Sequence, residues 1–179
     1  MRMRICFLIL AALALAAPSF GGALTPGTWY SDQWSGTVGT WVTDYFGYTG
    51  TAGTVLIDPL AAPWTFSGPG NLFVTDMYID GDQFAIFDNG VLVGDTSAPQ
   101  NDGADCGNDP LTCTSSSWTH GTFYFGAGDH SITMQVIAEA NCCTDGAAAF
   151  GFDVVPEPVS FLLAGVGCLG LLALHRMRR

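Results

Sequence analysis

The sequence predicts an all-β domain, a β-sandwich or jelly roll, between an N-terminal signal peptide helix and a C-terminal transmembrane helix. Short runs rich in Thr, Val, Phe, Tyr and Trp recur through residues 24–154, and Gly, Asn-Gly or Asp-Gly separates them. No stretch there sustains apolar residues at i, i+3 and i+4 over three turns, which excludes long amphipathic helices. Apolar and polar residues alternate in His130–Ala138, and this pattern indicates one buried face per strand.

The N-terminus has the pattern of a secretory signal. Arg2 and Arg4 precede an apolar run over residues 5–17, and the small residues Gly21, Gly22 and Ala23 follow it. We therefore predict that residues 1–23 form a signal peptide cleaved near Ala23. The alternative is a retained membrane helix, but the run is short for a span.

Residues 24–154 have a length that suits one exported domain. Strands are predicted at Thr40–Phe46, Thr54–Ile57, Leu72–Ile79, Gln83–Asp88, Val91–Asp95, Gly121–Phe125, His130–Ala138 and Ala148–Val154.

Turn residues predict how these strands are joined. Asn89-Gly90 lies between two apolar runs and predicts a two-residue hairpin, because a type I′ turn needs positive φ at both central positions. Residues 80–82, Asp-Gly-Asp, predict a second tight turn and hence a three-strand meander. Residues 126–129, Gly-Ala-Gly-Asp, predict a hairpin between the Gly121–Phe125 and His130–Ala138 strands.

This connectivity places the meander end, the 96–119 loop and the 139–146 loop on one rim of the sandwich. The acidic residues expected there are Asp80, Asp82, Asp95, Asp102, Asp105, Asp109, Glu139 and Asp145. Such oxygen ligands suit Ca²⁺, and the metal candidates are Asp80, Asp82, Asp95 and Asp145. Their spacing is not that of an EF-hand. The alternative is that these residues form turns and add solubilising charge.

The basic residues lie only at the two ends of the chain. They are Arg2, Arg4, Arg176, Arg178 and Arg179, so residues 24–154 contain no Lys or Arg, whereas all but one of the 16 acidic residues precede Val154. Phosphate backbones and anionic lipids are bound through Lys and Arg, so nucleic acid and anionic membrane surfaces are excluded as partners of the domain.

Four cysteines remain in the exported domain once Cys6 and Cys168 are set aside in the terminal segments. They are Cys106, Cys113, Cys142 and Cys143. Export to an oxidising compartment favours disulfides over a zinc or redox cluster. We expect the pairs Cys106–Cys113 and Cys142–Cys143, with crossed bridges between the two loops as the alternative.

Catalytic motifs are absent from the sequence. It contains no Gly-x-Ser-x-Gly elbow, and its many carboxylates allow no specific choice of a hydrolytic pair. We therefore expect no enzymatic activity. A secreted enzyme acting on polysaccharide is kept as an alternative.

Aromatic residues are concentrated near the start of the domain, at Trp29, Tyr30, Trp34, Trp41, Tyr45, Phe46 and Tyr48. If exposed, these rings would stack on sugar faces and make the domain a polysaccharide-binding module. If buried, they would form core, which is the commoner role of aromatic side chains.

The C-terminus has three parts in a fixed order. The box Val155-Pro156-Glu157-Pro158 precedes the uncharged run Val159–Leu174, and Arg176, Arg178 and Arg179 follow. A helix over 159–174 covers about 24 Å and spans a roughly 30 Å bilayer core if the membrane thins locally. The basic tail then stays in the cytoplasm.

This tail resembles the PEP-CTERM sorting signal of Gram-negative bacteria that make exopolysaccharide. The resemblance covers residues 155–179 and implies an exosortase partner that recognises the Pro156-Glu157-Pro158 box and removes the helix. The alternative is a plain membrane anchor. The middle stretches 80–97 and 126–133 are similar to uncharacterised extracellular β-domains found ahead of such signals.

Together these features predict an exported protein of the cell envelope or extracellular matrix. It would be held in the inner membrane through residues 159–174 before processing, and would have a structural or adhesive role with exopolysaccharide. No cofactor is expected apart from the Ca²⁺ suggested above.

Overall fold

The computed structural model describes residues 21–43, 61–114 and 118–155. It contains the strands β1 (Thr28–Ser35), β2 (Trp64–Asp76), β3 (Gln83–Asp88), β4 (Val91–Asp95), β5 (His120–Ala138) and β6 (Asp145–Val154). One short helix, α1 (Pro110–Cys113), lies between β4 and β5. The predicted all-β class is therefore confirmed.

The strands form one antiparallel sheet in the order β1-β6-β2-β5-β3-β4. β5 belongs to both halves of this sheet, because its N-terminal part pairs with β2 and its C-terminal part pairs with β3. The change occurs at Ile132, which is in register with Trp64 of β2 and with Asp88 of β3. The segment 39–42 also bonds to the C-terminal part of β5, where the Val42 N–H donates to the Met134 carbonyl at 2.9 Å.

Both halves of the sheet place side chains in one core. Trp34, Trp64 and Phe150 enter it from β1, β2 and β6, while Phe84 and Met134 enter from β3 and β5. Each of these five side chains is at most 1% exposed. The molecule is thus a β-sandwich whose two layers share β5, as the sequence predicts.

β2 begins eight residues before the predicted Leu72, at Trp64. Gly and Pro residues such as Gly68-Pro69-Gly70 often interrupt a strand. In the structure, β2 continues through these residues, and its pairing with β5 shifts register between Gly68 and Gly70. β1 was not predicted, because the polar residues 31–33 conceal a strand whose Tyr30 and Trp34 are buried.

The predicted hairpin at residues 126–129 is wrong, because β5 runs without reversal through these residues. Gly126 and Gly128 lie beside the irregular part of β2, where Gly128 is in register with Gly68. These two glycines let β5 accommodate the extra residue of a β-bulge, and the chain does not turn there.

The predicted three-strand meander is also wrong, because β5 lies between β2 and β3. The β3–β4 hairpin within it is confirmed. Asn89 and Gly90 have φ values of 49° and 79°, as a type I′ turn requires.

Several predicted segments lie wholly or partly outside the described residues. They are Thr54–Ile57, most of the 1–23 signal, and the tail after Val155. In Thr40–Phe46, Trp41 forms one isolated bridge with Gln135, and residues 44–46 are not described. Within the described ranges, no helix is long and apolar enough to cross a bilayer.

Two disulfides are present, Cys106–Cys113 and Cys142–Cys143, which are the pairings expected from the sequence. The first joins the loop after β4 to α1. The Thr75 hydroxyl donates to the Cys113 carbonyl at 2.8 Å, and this bond fixes α1 on the surface of β2.

Candidate functional site

Three acidic segments meet at one end of the sandwich. The Asp80 N–H donates to the Ala104 carbonyl at 2.9 Å, which joins the 79–82 segment to the 101–107 loop. The Ala140 N–H donates to Asp82 Oδ1 at 3.0 Å, which joins the same segment to the 139–146 loop. We call this end the acidic rim.

The four residues predicted to bind Ca²⁺ do not all converge on this rim. Asp82 and Asp145 are close enough for the charge of Asp145 to raise the pKa of Asp82. Asp80 instead accepts a hydrogen bond from the Asn101 N–H at 2.6 Å. Asp95 is exposed at the end of β4, in register with Ala85. Among the described residues, no group of three or more His, Cys, Asp or Glu is arranged to hold a metal ion. Calcium binding therefore stays a prediction.

Asp76 is an additional acidic residue of the rim, fully buried at the end of β2. Its Oδ1 accepts from the Met77 N–H at 2.8 Å, and its Oδ2 accepts from the Gly81 and Asp82 N–H groups at 3.1 Å each. Burial raises the pKa of Asp76 to about 9, and the charge of Asp82 adds to the rise while the three backbone bonds oppose it. This carboxyl organises the connection between β2 and β3.

Asp82 is 3% exposed and lies against Trp34 and Gly146. Burial raises the pKa of Asp82 to about 7; the Ala140 N–H and the Trp34 indole lower it, while Glu139 and Asp145 raise it. The indole N–H lies outside standard hydrogen-bond geometry, so we regard its contact with the carboxylate as weak.

The early aromatic residues divide between core and surface. Tyr30 and Trp34 are buried, as their core interpretation predicts. Trp41 is 44% exposed and lies against Phe87, with ring centroids 5.3 Å apart. Trp29 is half-buried on the outer face of the sheet. Tyr45, Phe46 and Tyr48 lie outside the described residues.

Four strands align a row of residues on this outer face. Trp29 of β1 is in register with Gly151 of β6, which is in register with Phe73 of β2, and Phe73 is in register with Thr122 of β5. Directly paired residues project to the same face of a sheet, so these four form a continuous row. We call it the aromatic row.

Gly151 allows the two large rings of the aromatic row to approach each other. A Cβ at Gly151 would stand 3.2 Å from the Trp29 indole, so the indole lies directly on this glycine. The Trp29 and Phe73 rings have centroids 6.4 Å apart and an interplanar angle of 41°. They form a tilted aromatic platform that crosses the strands.

The aromatic row is the floor of a groove of about 400 Å³, which we call the outer groove. Leu111 and Thr114 line one side of it at α1, and His120 and Asp153 also contribute to its lining. The volume lies in the range of small-ligand sites. Because Cys113 joins α1 to Cys106, the first disulfide holds this side of the groove in place.

A second row of polar residues runs parallel to the aromatic row. Asp153 of β6 is in register with Asn71 of β2, and Asn71 is in register with Tyr124 of β5. Tyr124 is 64% exposed. This polar row lies two residues further along the strands, at about 7 Å from the aromatic row.

The side chains lining the outer groove favour a ligand that donates hydrogen bonds. His120 Nδ1 lies 2.9 Å from the Trp118 carbonyl, which can only accept, so Nδ1 carries a proton and donates it to this carbonyl. Asp153 supplies a carboxylate, and Thr28, Thr114 and Thr122 supply hydroxyls. The lining contains no Lys or Arg.

Comparison with known proteins gives no family for this chain. No family model matches it, and no curated protein matches it. One solved structure, the C-terminal CBM6 of LamC, a marine laminarinase from Zobellia galactanivorans, aligns at 17% identity over 68% of this chain and 90% of its own, with a TM-score of 0.33. At this TM-score the likeness decides neither fold nor function.

Proposed function

We propose that this protein is a non-catalytic polysaccharide-binding module and that the outer groove is its binding site. The observation that carries the proposal is the platform of Trp29 and Phe73 over Gly151, on the outer face of the sheet. Trp29 packs at one side against the small buried cluster of Met77, Cys113, Ala147 and Ala149, and both rings stay partly exposed in the outer groove.

The platform and its surroundings suit the chemistry of a sugar ring. A pyranose has a face of C–H groups and an edge of hydroxyls. The C–H face packs on the electron-rich face of an aromatic ring, and the hydroxyls need polar partners beside it. His120, Thr122 and Asp153 line the groove next to the rings and can supply those partners.

The acidic rim supports catalysis less well. A glycosidase needs two carboxyl groups that reach the substrate from either side of the bond it cleaves. Asp82, the rim carboxyl whose pKa is raised to about 7, is 3% exposed and already accepts from Ala140. We therefore assign no hydrolytic role to it.

Replacement of Trp29 tests the proposed site. We expect Trp29→Ala to lower the affinity for a polysaccharide ligand about five- to a hundredfold, because stacking of a flat ligand such as a nucleic-acid base on one aromatic ring contributes on the order of 1–3 kcal/mol. Affinity electrophoresis against a panel of polysaccharides, followed by calorimetry with oligosaccharides of the best ligand, measures the change.

Trp41→Ala is the matched control, since Trp41 is an exposed tryptophan at a different place on the surface. We expect it to leave affinity unchanged, and both variants should keep the wild-type circular dichroism spectrum. Equal affinity of Trp29→Ala and wild type, or binding of no polysaccharide by wild type, would contradict the proposal.

Delivery to the cell exterior completes the proposed role. We propose that the signal at residues 1–23 exports the chain and that an exosortase processes it at the Pro156-Glu157-Pro158 box, which leaves an adhesive component of an exopolysaccharide matrix. Intact mass spectrometry of the exported protein is expected to show that residues 159–179 are lost. A mass that includes them would identify the tail as a plain membrane anchor.

A further inference from the structure

The charge of the outer groove restricts which polysaccharides it can bind. Among the described residues, Asp153 is the only carboxylate in its lining, and residues 24–154 contain no Lys or Arg. A uronic acid or sulfated sugar would place an anion in this groove beside Asp153 and without a Lys or Arg partner. Such an anion would be both desolvated and repelled.

The polar row places a carboxylate beside the aromatic platform. Asp153 is in register with Asn71, the neighbour of Phe73 two positions along β2, so it lies within reach of a substituent on a sugar stacked on the aromatic row. Asp153 itself is exposed and therefore available to a ligand. A carboxylate accepts hydrogen bonds only, and an ammonium group donates three.

Aromatic rings in both rows add to the preference for a cation. Tyr124 ends the polar row and is largely exposed, and Trp29 lies at the edge of the aromatic row. A cationic substituent near the face of either ring is attracted by the ring quadrupole. The high negative charge of the domain further favours the approach of a cationic polymer.

We propose that the outer groove binds a polysaccharide with free amino groups, such as a de-N-acetylated amino-sugar polymer. The sugar ring stacks on Trp29 and Phe73, and Asp153 pairs with its ammonium group. This inference rests on the proposed polysaccharide-binding function and names its ligand class.

Two probes that differ only in acetylation test the ligand class. The exported protein, purified from outside the cell with its disulfides intact, is titrated at pH 6 and low salt with glucosamine hexamer and with N-acetylglucosamine hexamer, both β-1,4-linked. We expect the free amine to bind about fivefold more tightly, as for one partly exposed ion pair. A polyuronate oligomer of similar length should bind more weakly than either, and added salt should reduce the difference between the first two.

Variants separate pairing in the groove from general attraction between opposite charges. We expect Asp153→Asn to remove the preference for the amine, so that the two hexamers bind this variant with equal affinity. Asp95→Asn, which removes an exposed carboxylate on the edge strand β4, should keep the preference. Trp29→Ala should weaken the binding of both hexamers.

The outcomes distinguish this inference from the function on which it rests. If the acetylated hexamer or the polyuronate binds best, or if the amine preference persists in Asp153→Asn, the inference is wrong and the proposed function stands. If the wild type binds no polysaccharide of any class, both are wrong.

Discussion

The folded protein is expected to lose stability as the pH rises from 4 to 9, because two carboxyl groups of the acidic rim are buried. The pKa values of Asp82 and Asp76 are raised from 3.8 to about 7 and about 9. The native state therefore binds protons more tightly than the unfolded chain. The resulting stability is complete below about pH 4 and is lost as the pH rises through 7 for Asp82 and through 9 for Asp76.

The effect is large because a shift of one pKa unit changes the free energy of unfolding by about 1.4 kcal/mol. The two shifts together change it by several kcal/mol. Thermal unfolding followed by circular dichroism should give a Tm at pH 5 roughly 10 °C above that at pH 8. Asp82→Asn should reduce the slope between pH 4 and 7 by about half, because Asp76 still contributes, whereas Asp95→Asn, at an exposed site, should leave it unchanged. A Tm that is constant or rises over this interval would show that the buried carboxyls are not protonated.

Replacement of Asp76 by Ala is expected to be the most destabilising single change at the acidic rim. It leaves the N–H groups of Met77, Gly81 and Asp82 without their acceptor in a buried environment. Each unsatisfied donor costs about 1–3 kcal/mol, so the total approaches the whole stability of a typical domain, about 5–15 kcal/mol.

Urea unfolding at pH 5 measures this change, and Asp102→Ala is its control. Asp102 is exposed and accepts one local bond from the Ala104 N–H at 2.9 Å, so its loss should cost less than about 1 kcal/mol. Asp76→Asn, which keeps one oxygen acceptor, should fall between the two. Similar urea midpoints for Asp76→Ala and Asp102→Ala would mean that the rim does not depend on this carboxyl.

The features predicted correctly from the sequence are those that depend on residues close together in the chain. Asn89-Gly90 specifies a type I′ turn by itself, so β3 and β4 were predicted with the bounds that the structure has. The Cys106–Cys113 pairing likewise depends on a short separation within one loop.

The features that depend on contacts between residues far apart in the chain were not predicted. Residues 126–129 form no turn because they pair with the distant Gly68–Gly70 segment, and a β-bulge in this pairing accommodates the extra residue of β5. Asp76 is buried at a place where residues far along the chain meet it, since its N–H donates to the Thr119 carbonyl and it pairs with Ala148 of β6. The outer groove depends on the register of four strands, which the sequence does not show. One feature of the sequence does point to it, because Phe73 alternates with the inward-facing Leu72 and Val74. An aromatic residue on the outward face of a strand suggests a role at the surface.

The pairing of β1 with β6 has a consequence for the time at which the domain can fold. In the part of the sheet that the structure describes, β1 is an edge strand next to β6, and Ser35 pairs with Asp145 near the other end of the domain. At roughly 5–20 residues per second of synthesis, several seconds separate the appearance of the two strands. The sheet, and with it the platform between Trp29 and Phe73, is completed only when the last strand has emerged. The domain thus remains incompletely folded until the synthesis of β6 is complete.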